Sequence, residues 1–233
     1  MMLAAGLGKR MRPITSTMPK PLVEVRGKAL IDYGVDALVR AGVETIVVNV
    51  HYLADLMRAH LRKRSDVEIV ISDETDRLLD SGGGIVKALP HLGPDPFFVM
   101  NADTFWIEGY RDNLDLLSSL WRPETMDVSL LIADMAQSTG YDGRGDFVMD
   151  ATGRLTRREE RDISPFIYAG AGIMKPELFD GYEAEPFSLN QIFDSAIEAE
   201  RLYGVRLGGL WMTVGTPPAV RLAEDAFKAS AAA

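Results

Sequence analysis

Through its first hundred residues the chain alternates short apolar runs with stretches of helical spacing, and few folds satisfy that alternation. Residues 1–5, 45–50, 67–72 and 96–101 are apolar runs that read as buried strands. Between them, residues 29–41 set Leu30, Ile31, Val35, Leu38 and Val39 at helical spacing and stop at Gly42. Residues 54–64 predict a helix with a basic end, suited to the negative pole of the helix dipole. Residues 84–89 begin a third helix that Pro90 is expected to close. The order β-α-β-α-β-α-β implies parallel strands, right-handed crossovers and helices on both faces. That is a doubly wound α/β fold, and such sheets hold ligands beyond the carboxyl ends of their strands.

The second half changes character. Strands are expected at 128–133, 147–150, 154–157 and 167–174, with Asp150-Ala151-Thr152-Gly153 as a turn. An amphipathic helix follows at 189–200, short strands at 204–207 and 210–214, and a last helix at 218–233. No internal repeat or flexible linker interrupts the 233 residues, so one domain is expected. A buried parallel strand usually has about five or six residues. Only five precede Gly6, so the natural chain is expected to begin upstream of Met1; a start at Met1 should fray the sheet edge and lower stability.

Composition removes several functions. A net charge of −9 argues against a general binder of nucleic acid or anionic membrane, while leaving room for a local basic pocket. The absence of cysteine excludes disulfides, thiolate catalysis and cysteine metal sites. His51, His60 and His91 lack metal-site spacing. No apolar run approaches the roughly 20 residues of a membrane span. No signal-peptide pattern opens the chain, so a cytoplasmic protein is expected.

Chemistry concentrates in residues 3–21. Leu3-Ala4-Ala5-Gly6-Leu7-Gly8 follows the first strand, and its small residues let backbone approach a ligand closely. Backbone N–H groups in such a turn can cradle anionic oxygens. Lys9, Arg10, Arg12 and Lys20 then cluster four cations in an acidic chain. Taken alone, these features fit an ordinary turn with solvated charges as well as they fit a phosphate site. The loop is not a P-loop, for it lacks the Gly-Lys-Ser/Thr ending, and Met11 replaces the third glycine of a dinucleotide fingerprint. Asn49-Val50-His51 offers no acidic ribose ligand, which removes an NAD-dependent oxidoreductase.

The loop closely resembles the signature of the sugar-1-phosphate nucleotidyltransferase family. The match runs through Leu3-Ala4-Ala5-Gly6, Gly8-Lys9-Arg10-Met11, Pro13, Thr15 and Pro19-Lys20-Pro21, and continues through Asn101-Ala102-Asp103 to Trp211 and Pro217. The resemblance implies a doubly wound, mostly parallel, Rossmann-like sheet of the nucleotidyltransferase/glycosyltransferase-A type. It implies a single domain with a nucleotide-binding half near 1–110 and a sugar-binding half near 111–233. By the same resemblance, backbone of Leu3, Ala4, Ala5 and Gly6 holds the nucleoside, and Gly8, Lys9 and Arg10 hold phosphates. Arg10 stabilises the transition state, Lys20 reaches the reacting phosphates, Asp103 is a Mg²⁺ ligand and Asn101 contacts the sugar phosphate.

Asp103 ends an apolar strand, where a hard oxygen ligand would face the cleft; alone it could equally cap the next segment. The family's second metal aspartate falls at Thr213, within Trp211-Met212-Thr213-Val214-Gly215-Thr216-Pro217. A neutral hydroxyl there predicts a weaker metal site, a substitute carboxylate or lost catalysis. Gly82-Gly83-Gly84 is expected to form a loop before the third helix, with Gly83 backbone against the base; a plain loop is the other reading. The surrounding Glu74-Thr75 and Leu78-Leu79-Asp80-Ser81 look most like small bacterial uridylyltransferases, with mannose-1-phosphate guanylyltransferases sharing much of the pattern. Asp146, Tyr168 and Gly170 lie in segments resembling the family's sugar-facing ones, though Tyr168 fits an ordinary half-buried strand position too. The lysine segment that binds sugar phosphate in larger relatives is missing; Arg157, Arg158 and Arg161 either replace it or form a solvated charge run. Asn49 and His51 are expected to be structural.

The activity implied is transfer of a nucleotidyl group to a sugar 1-phosphate with Mg²⁺. UTP is the expected nucleotide and N-acetylmuramate 1-phosphate, in cell-wall recycling, the first expected sugar. Hexose 1-phosphates with GTP or dTTP are the alternative. A non-catalytic nucleotide sensor is the alternative of another class.

Overall fold

In the computed structural model, which describes residues 1–231, the sequence-predicted alternation is present from the start. Strand β1 (Met2–Leu3) leads into the basic loop, and a small hairpin, β2 (Glu24–Val25) and β3 (Lys28–Ala29), carries the chain to α1 (Leu30–Arg40). Then come β4 (Thr45–Val50), α2 (Ala54–Leu61), β5 (Glu68–Asp73), α3 (Asp80–Leu92) and β6 (Phe97–Asn101). After a two-residue turn the chain forms β7 (Thr104–Glu108) and α4 (Asn113–Leu120). The second half comprises β8 (Val128–Asp134), β9 (Ser138–Thr139), β10 (Phe147–Met149), β11 (Leu155–Arg157), β12 (Phe166–Met174), α5 (Asn190–Glu198), β13 (Leu202–Arg206), β14 (Gly209–Thr213) and α6 (Pro217–Ser230). Of the last helix expected at 218–233, Ala232 and Ala233 lie outside the described residues.

The central sheet is mixed and parallel through its middle, in the order β5-β4-β1-β6-β12. Strand β12 runs antiparallel to β6 and β8, and β13 adds parallel to β8. Apolar side chains fill both faces: α1, α2 and α4 supply Ile31, Met57 and Leu117 to one core, while α3 and α5 supply Ile85 and Phe193 to the other. A separate three-stranded sheet, β7-β14-β9, packs under α6 through Phe105, Met212 and Ala223.

Three expectations are corrected. First, β1 is short but central, so no sheet edge frays there. Met2 pairs with Val48 on one side and Met100 on the other. The Met1 and Leu3 carbonyls accept from Met100 and Ala102 N–H groups at 2.9 and 3.0 Å. Second, α3 begins at Asp80, so Gly82-Gly83-Gly84 lie inside the helix. Glycine costs about 1 kcal/mol relative to alanine in a helix interior, and here packing demands it. A Cβ on Gly82 would overlap the Phe187 ring, and one on Gly83 would overlap the Glu185 carbonyl oxygen. Third, Pro90 does not close the helix at 89. It sits in the last turn, where only one backbone donor is forfeited, and the helix continues to Leu92 before Gly93.

One irregularity shapes the site. Strand β12 changes partners along its length: Ala171–Met174 pair with β6, whereas Phe166 pairs with Phe147 of β10. A register shift between Tyr168 and Gly172 marks the changeover, and Gly170 takes φ +80° within it. The end of β6 therefore parts from β12, opening a gap at the carboxyl end of the parallel strands.

Candidate active site

Two cavities meet at the end of β6. The first, about 470 Å³, is lined by Leu3, Ala4, Ala5, Gly6, Lys20, Asn49, Leu78, Ser81 and Asp103. It lies beside β1 and β6, where the strand order reverses direction, as expected for open sheets of this kind. Gly6 is exposed and nothing lies within 4 Å of a Cβ built on it, so its backbone is open to a ligand. Ala4 is fixed from behind. Its N–H donates to Asn49 Oδ1 at 2.7 Å, and Asn49 Nδ2 donates to buried Glu74 at 2.7 Å. The other Glu74 oxygen accepts from the Leu79 N–H at 3.1 Å, coupling the first loop to the start of α3. Asn49 is thus structural, as is His51, whose Nδ1 lies 2.7 Å from the Glu74 carbonyl.

The basic loop is folded onto itself. Thr15 Oγ1 donates to the Gly8 carbonyl at 2.8 Å, and Tyr52 donates to the Thr15 carbonyl at 2.9 Å. Gly8 has φ +58°, and a Cβ there would crowd Lys20 and Thr15 side chains. Its glycine is needed for the bend that lets Lys20 lie against the loop. Lys20 Nζ reaches Asp103 Oδ2 at 2.5 Å with only 12% of its side chain exposed.

The second cavity, about 430 Å³, is lined by Arg10, Asn101, Asp103, Asp146, Phe147, Arg157, Tyr168, Phe193 and Thr213, among others. Asn101 and Asp103 belong to both cavities. Arg10 is exposed and has no hydrogen-bond or ion-pair partner among the described residues; its guanidinium lies over Gly215. The Asp103 carbonyl accepts from the Val214 N–H at 3.2 Å, so the end of β14 brings Thr213 beside Asp103. Tyr168 projects from the β12 irregularity. Its buried hydroxyl has no partner among the described residues, and burial, with the Asp103 charge adding, pushes it above the usual tyrosine range. Burial likewise raises the Asp146 carboxyl, against the opposing pull of the Tyr168 N–H and of Arg157 and Arg158.

The fold thus gathers Leu3, Ala4, Ala5, Gly6 and Lys20 at one cavity, and Arg10, Asp146, Tyr168 and Thr213 at the other, joined by Asn101 and Asp103. It does not bring Gly8, Lys9 or Gly83 to either wall. Gly8 is a bend, Lys9 is exposed, and Gly83 is buried against Glu185; Leu78, Asp80 and Ser81 form the wall assigned to Gly83 from the sequence. Gly170 is the pivot of the β12 irregularity, packed on Thr104 and Asn101. Of the three arginines, Arg157 lines the second cavity, Arg158 is taken up by backbone carbonyls, and Arg161 is exposed. Phe193 and Asn190 also line the second cavity, although in the sequence they read as an ordinary core residue and a helix start on α5.

Among the described residues no three His, Asp or Glu side chains converge as a ready-made metal cage. Asp103, 34% exposed, offers one carboxylate at the junction, and Thr213 lines the same cavity. That donor set suits a hard cation that takes few protein oxygens and completes its shell with phosphate oxygens and water.

The nucleotidyl transferase family model matches residues 1–229. The chain is 47% identical to N-acetylmuramate alpha-1-phosphate uridylyltransferase of Caulobacter vibrioides, over 99% of this chain and 97% of that one. It is 36% identical to the protein of the same name from Neisseria meningitidis serogroup B, over 93% and 92%. The structure of a UDP-glucose pyrophosphorylase complexed with UDP-glucose superposes with a TM-score of 0.79 at 18% identity, covering 98% of this chain and 97% of that one.

Proposed function

The chain belongs to the nucleotidyl transferase family, and from that membership we propose that it transfers the uridylyl group of UTP to N-acetylmuramate 1-phosphate, releasing pyrophosphate. The observation that carries this reading is the meeting of two cavities at Asn101 and Asp103, with Lys20 and Arg10 on either side. The near-full-length identity to uridylyltransferases supports the choice of UTP and of the sugar.

In this reading the first cavity takes the nucleoside, with backbone at Ala4–Gly6 against it and Leu78 and Ser81 opposite. The second takes the sugar, with its phosphate toward Asn101 and Arg10. A phosphate oxygen of the sugar 1-phosphate attacks the α-phosphorus of UTP, and the bond from that phosphorus to the bridging oxygen breaks. Both electrons of that bond leave with pyrophosphate. The nucleophile is already an anion, so the chain needs no strong base. It needs to offset repulsion between anions, which for two unit charges 4 Å apart is about 4 kcal/mol at an effective dielectric constant of 20. Lys20, held in place by Asp103, and Arg10, free to swing onto the phosphates, supply that charge. Asp103 and the Thr213 hydroxyl would hold the Mg²⁺ that, when bound, further neutralises the phosphates.

A matrix of nucleoside triphosphates against sugar 1-phosphates, read by pyrophosphate release, tests this. UTP with N-acetylmuramate 1-phosphate is expected to be the fastest pair. Tight UTP binding with no release from any sugar phosphate would sink the catalytic reading and favour a nucleotide sensor.

A further inference from the structure

Arg157 occupies the sugar cavity on a mount that a solvated arginine lacks. Its residue pairs with Phe147 across β10 and β11, and its guanidinium lies 4.8 Å from the centre of the Phe147 ring. Nε donates to Asp194 Oδ1 at 2.7 Å and Nη2 to Asn190 Oδ1 at 3.0 Å, both partners being on α5. Two nitrogens thus fix the plane of the fork. Nη1, with its two N–H donors, has no acceptor among the described residues. Asp194 offsets part of the charge but leaves those donors vacant.

The cavity around it is polarised. At the β6 end stand Arg10, Asn101 and Asp103; at the α5 end stands Arg157. Between them run Tyr168 and Phe193, 5.4 Å apart edge to face, and then Phe147. An elongated ligand with an anion at each end and an apolar flank matches that layout. Asp142 and Asp146 also line the cavity. One Asp146 oxygen is committed to the Tyr168 N–H at 2.9 Å, and Asp142 is exposed to solvent. A second anion entering so acidic a wall needs a dedicated cation.

We propose that Arg157 is a specificity-determining residue that binds, through Nη1, a carboxylate carried on the sugar ring, while the anomeric phosphate lies at the Arg10–Asp103 end. The proposal rests on the function proposed above, since N-acetylmuramate differs from N-acetylglucosamine by an ether-linked lactyl carboxylate. A charge-assisted N–H donor on Nη1 fits a carboxylate and discriminates against a ligand that leaves it unpaired.

The test compares wild type, Arg157→Gln and Arg157→Lys on three ligands: N-acetylmuramate 1-phosphate, its lactyl amide and N-acetylglucosamine 1-phosphate. Turnover with UTP is read by pyrophosphate release, and binding of each sugar phosphate to the UMP-loaded protein by calorimetry. Wild type is expected to prefer the acid over the amide. Loss of the charge-assisted hydrogen bond in Arg157→Gln should shrink the ratio of kcat/KM for the acid to that for either neutral sugar about 10- to 100-fold, through KM. Arg157→Lys should recover part of the ratio. An equal loss on all three ligands would assign Arg157 a structural role, and an unchanged ratio would remove it from recognition; either overturns the proposal. Turnover of the acid with an unchanged ratio leaves the parent function standing. Absence of turnover with every sugar overturns the parent function, and the calorimetric ratio still decides Arg157.

Discussion

Lys20 and Arg10 illustrate how differently two cations can be deployed in one site. Lys20 is nearly buried and committed to Asp103, whereas Arg10 is exposed and has no partner among the described residues. Lys20→Met is expected to lower kcat about 10²- to 10³-fold, the usual loss when one preorganised charge donor is removed. Thermal melting should change little by comparison, because Asp103 keeps access to solvent. Thr213 gives a second prediction. Thr213→Asp adds a carboxylate to the cavity that Asp103 lines and is expected to shift the activity-versus-Mg²⁺ curve to lower concentration; an unmoved curve would show that Thr213 does not face the metal. These residues were legible because a long motif fixes their spacing. Arg157 was only half legible: a strand-end arginine in a charge run looks the same in sequence whether it meets water or Asn190 and Asp194. Glu74 was also opaque, since nothing in the sequence says that a carboxylate will be buried beneath Ala4, held by an asparagine and a backbone N–H.

Among the elements, α3 departs most from its sequence-based expectation. A run of three glycines predicts a loop because glycine weakens a helix. The chain forms the helix anyway, since residues 185–187 press against it and leave no room for side chains. Gly83→Ala should therefore behave opposite to helix propensity. Instead of gaining about 1 kcal/mol, the variant is expected to lose about 1–3 kcal/mol from the overlap with the Glu185 carbonyl. Thermal melting checks the sign, and a raised KM for the nucleotide should accompany it as Leu78 and Ser81 shift. Most other early elements were legible within a few residues because their hydrophobic periods are clean. Strand β7 was not, because it follows β6 after only two residues and belongs to a different sheet. The partner exchange along β12 was equally hidden, for Gly170 and its neighbours read simply as an apolar, glycine-rich strand.

Across the whole molecule, the antiparallel half is tied together far from the chemistry. Asp127, just before β8, bonds Lys175 after β12 at 2.9 Å and Arg201 before β13 at 2.9 Å. Burial works against the Asp127 carboxylate, but hydrogen bonds and charge from Lys175 and Arg201 outweigh it and hold the carboxyl below its usual value. A depressed folded value means stability that is present above the unfolded value near 3.8 and lost as pH falls through the folded one. Asp127→Asn should melt roughly 2–4 °C lower than wild type at pH 7, the shift of about 1 kcal/mol in a domain of this size, with the gap closing below pH 4. A gap that persists in acid would remove Asp127 as its source. The α/β architecture was legible from the alternation of the first hundred residues, whereas the way the second half closes the sheet depends on long-range pairing that no local pattern records.

One consequence concerns the end of β6. Asn101 and Asp103 form a wall common to both cavities. If each cavity takes one substrate, as proposed above, the two substrates meet at a shared wall and are linked ligands rather than independent ones. Whatever factor the nucleotide imposes on the affinity of the sugar phosphate, the sugar phosphate imposes on the nucleotide, since the coupling free energy between two sites is reciprocal.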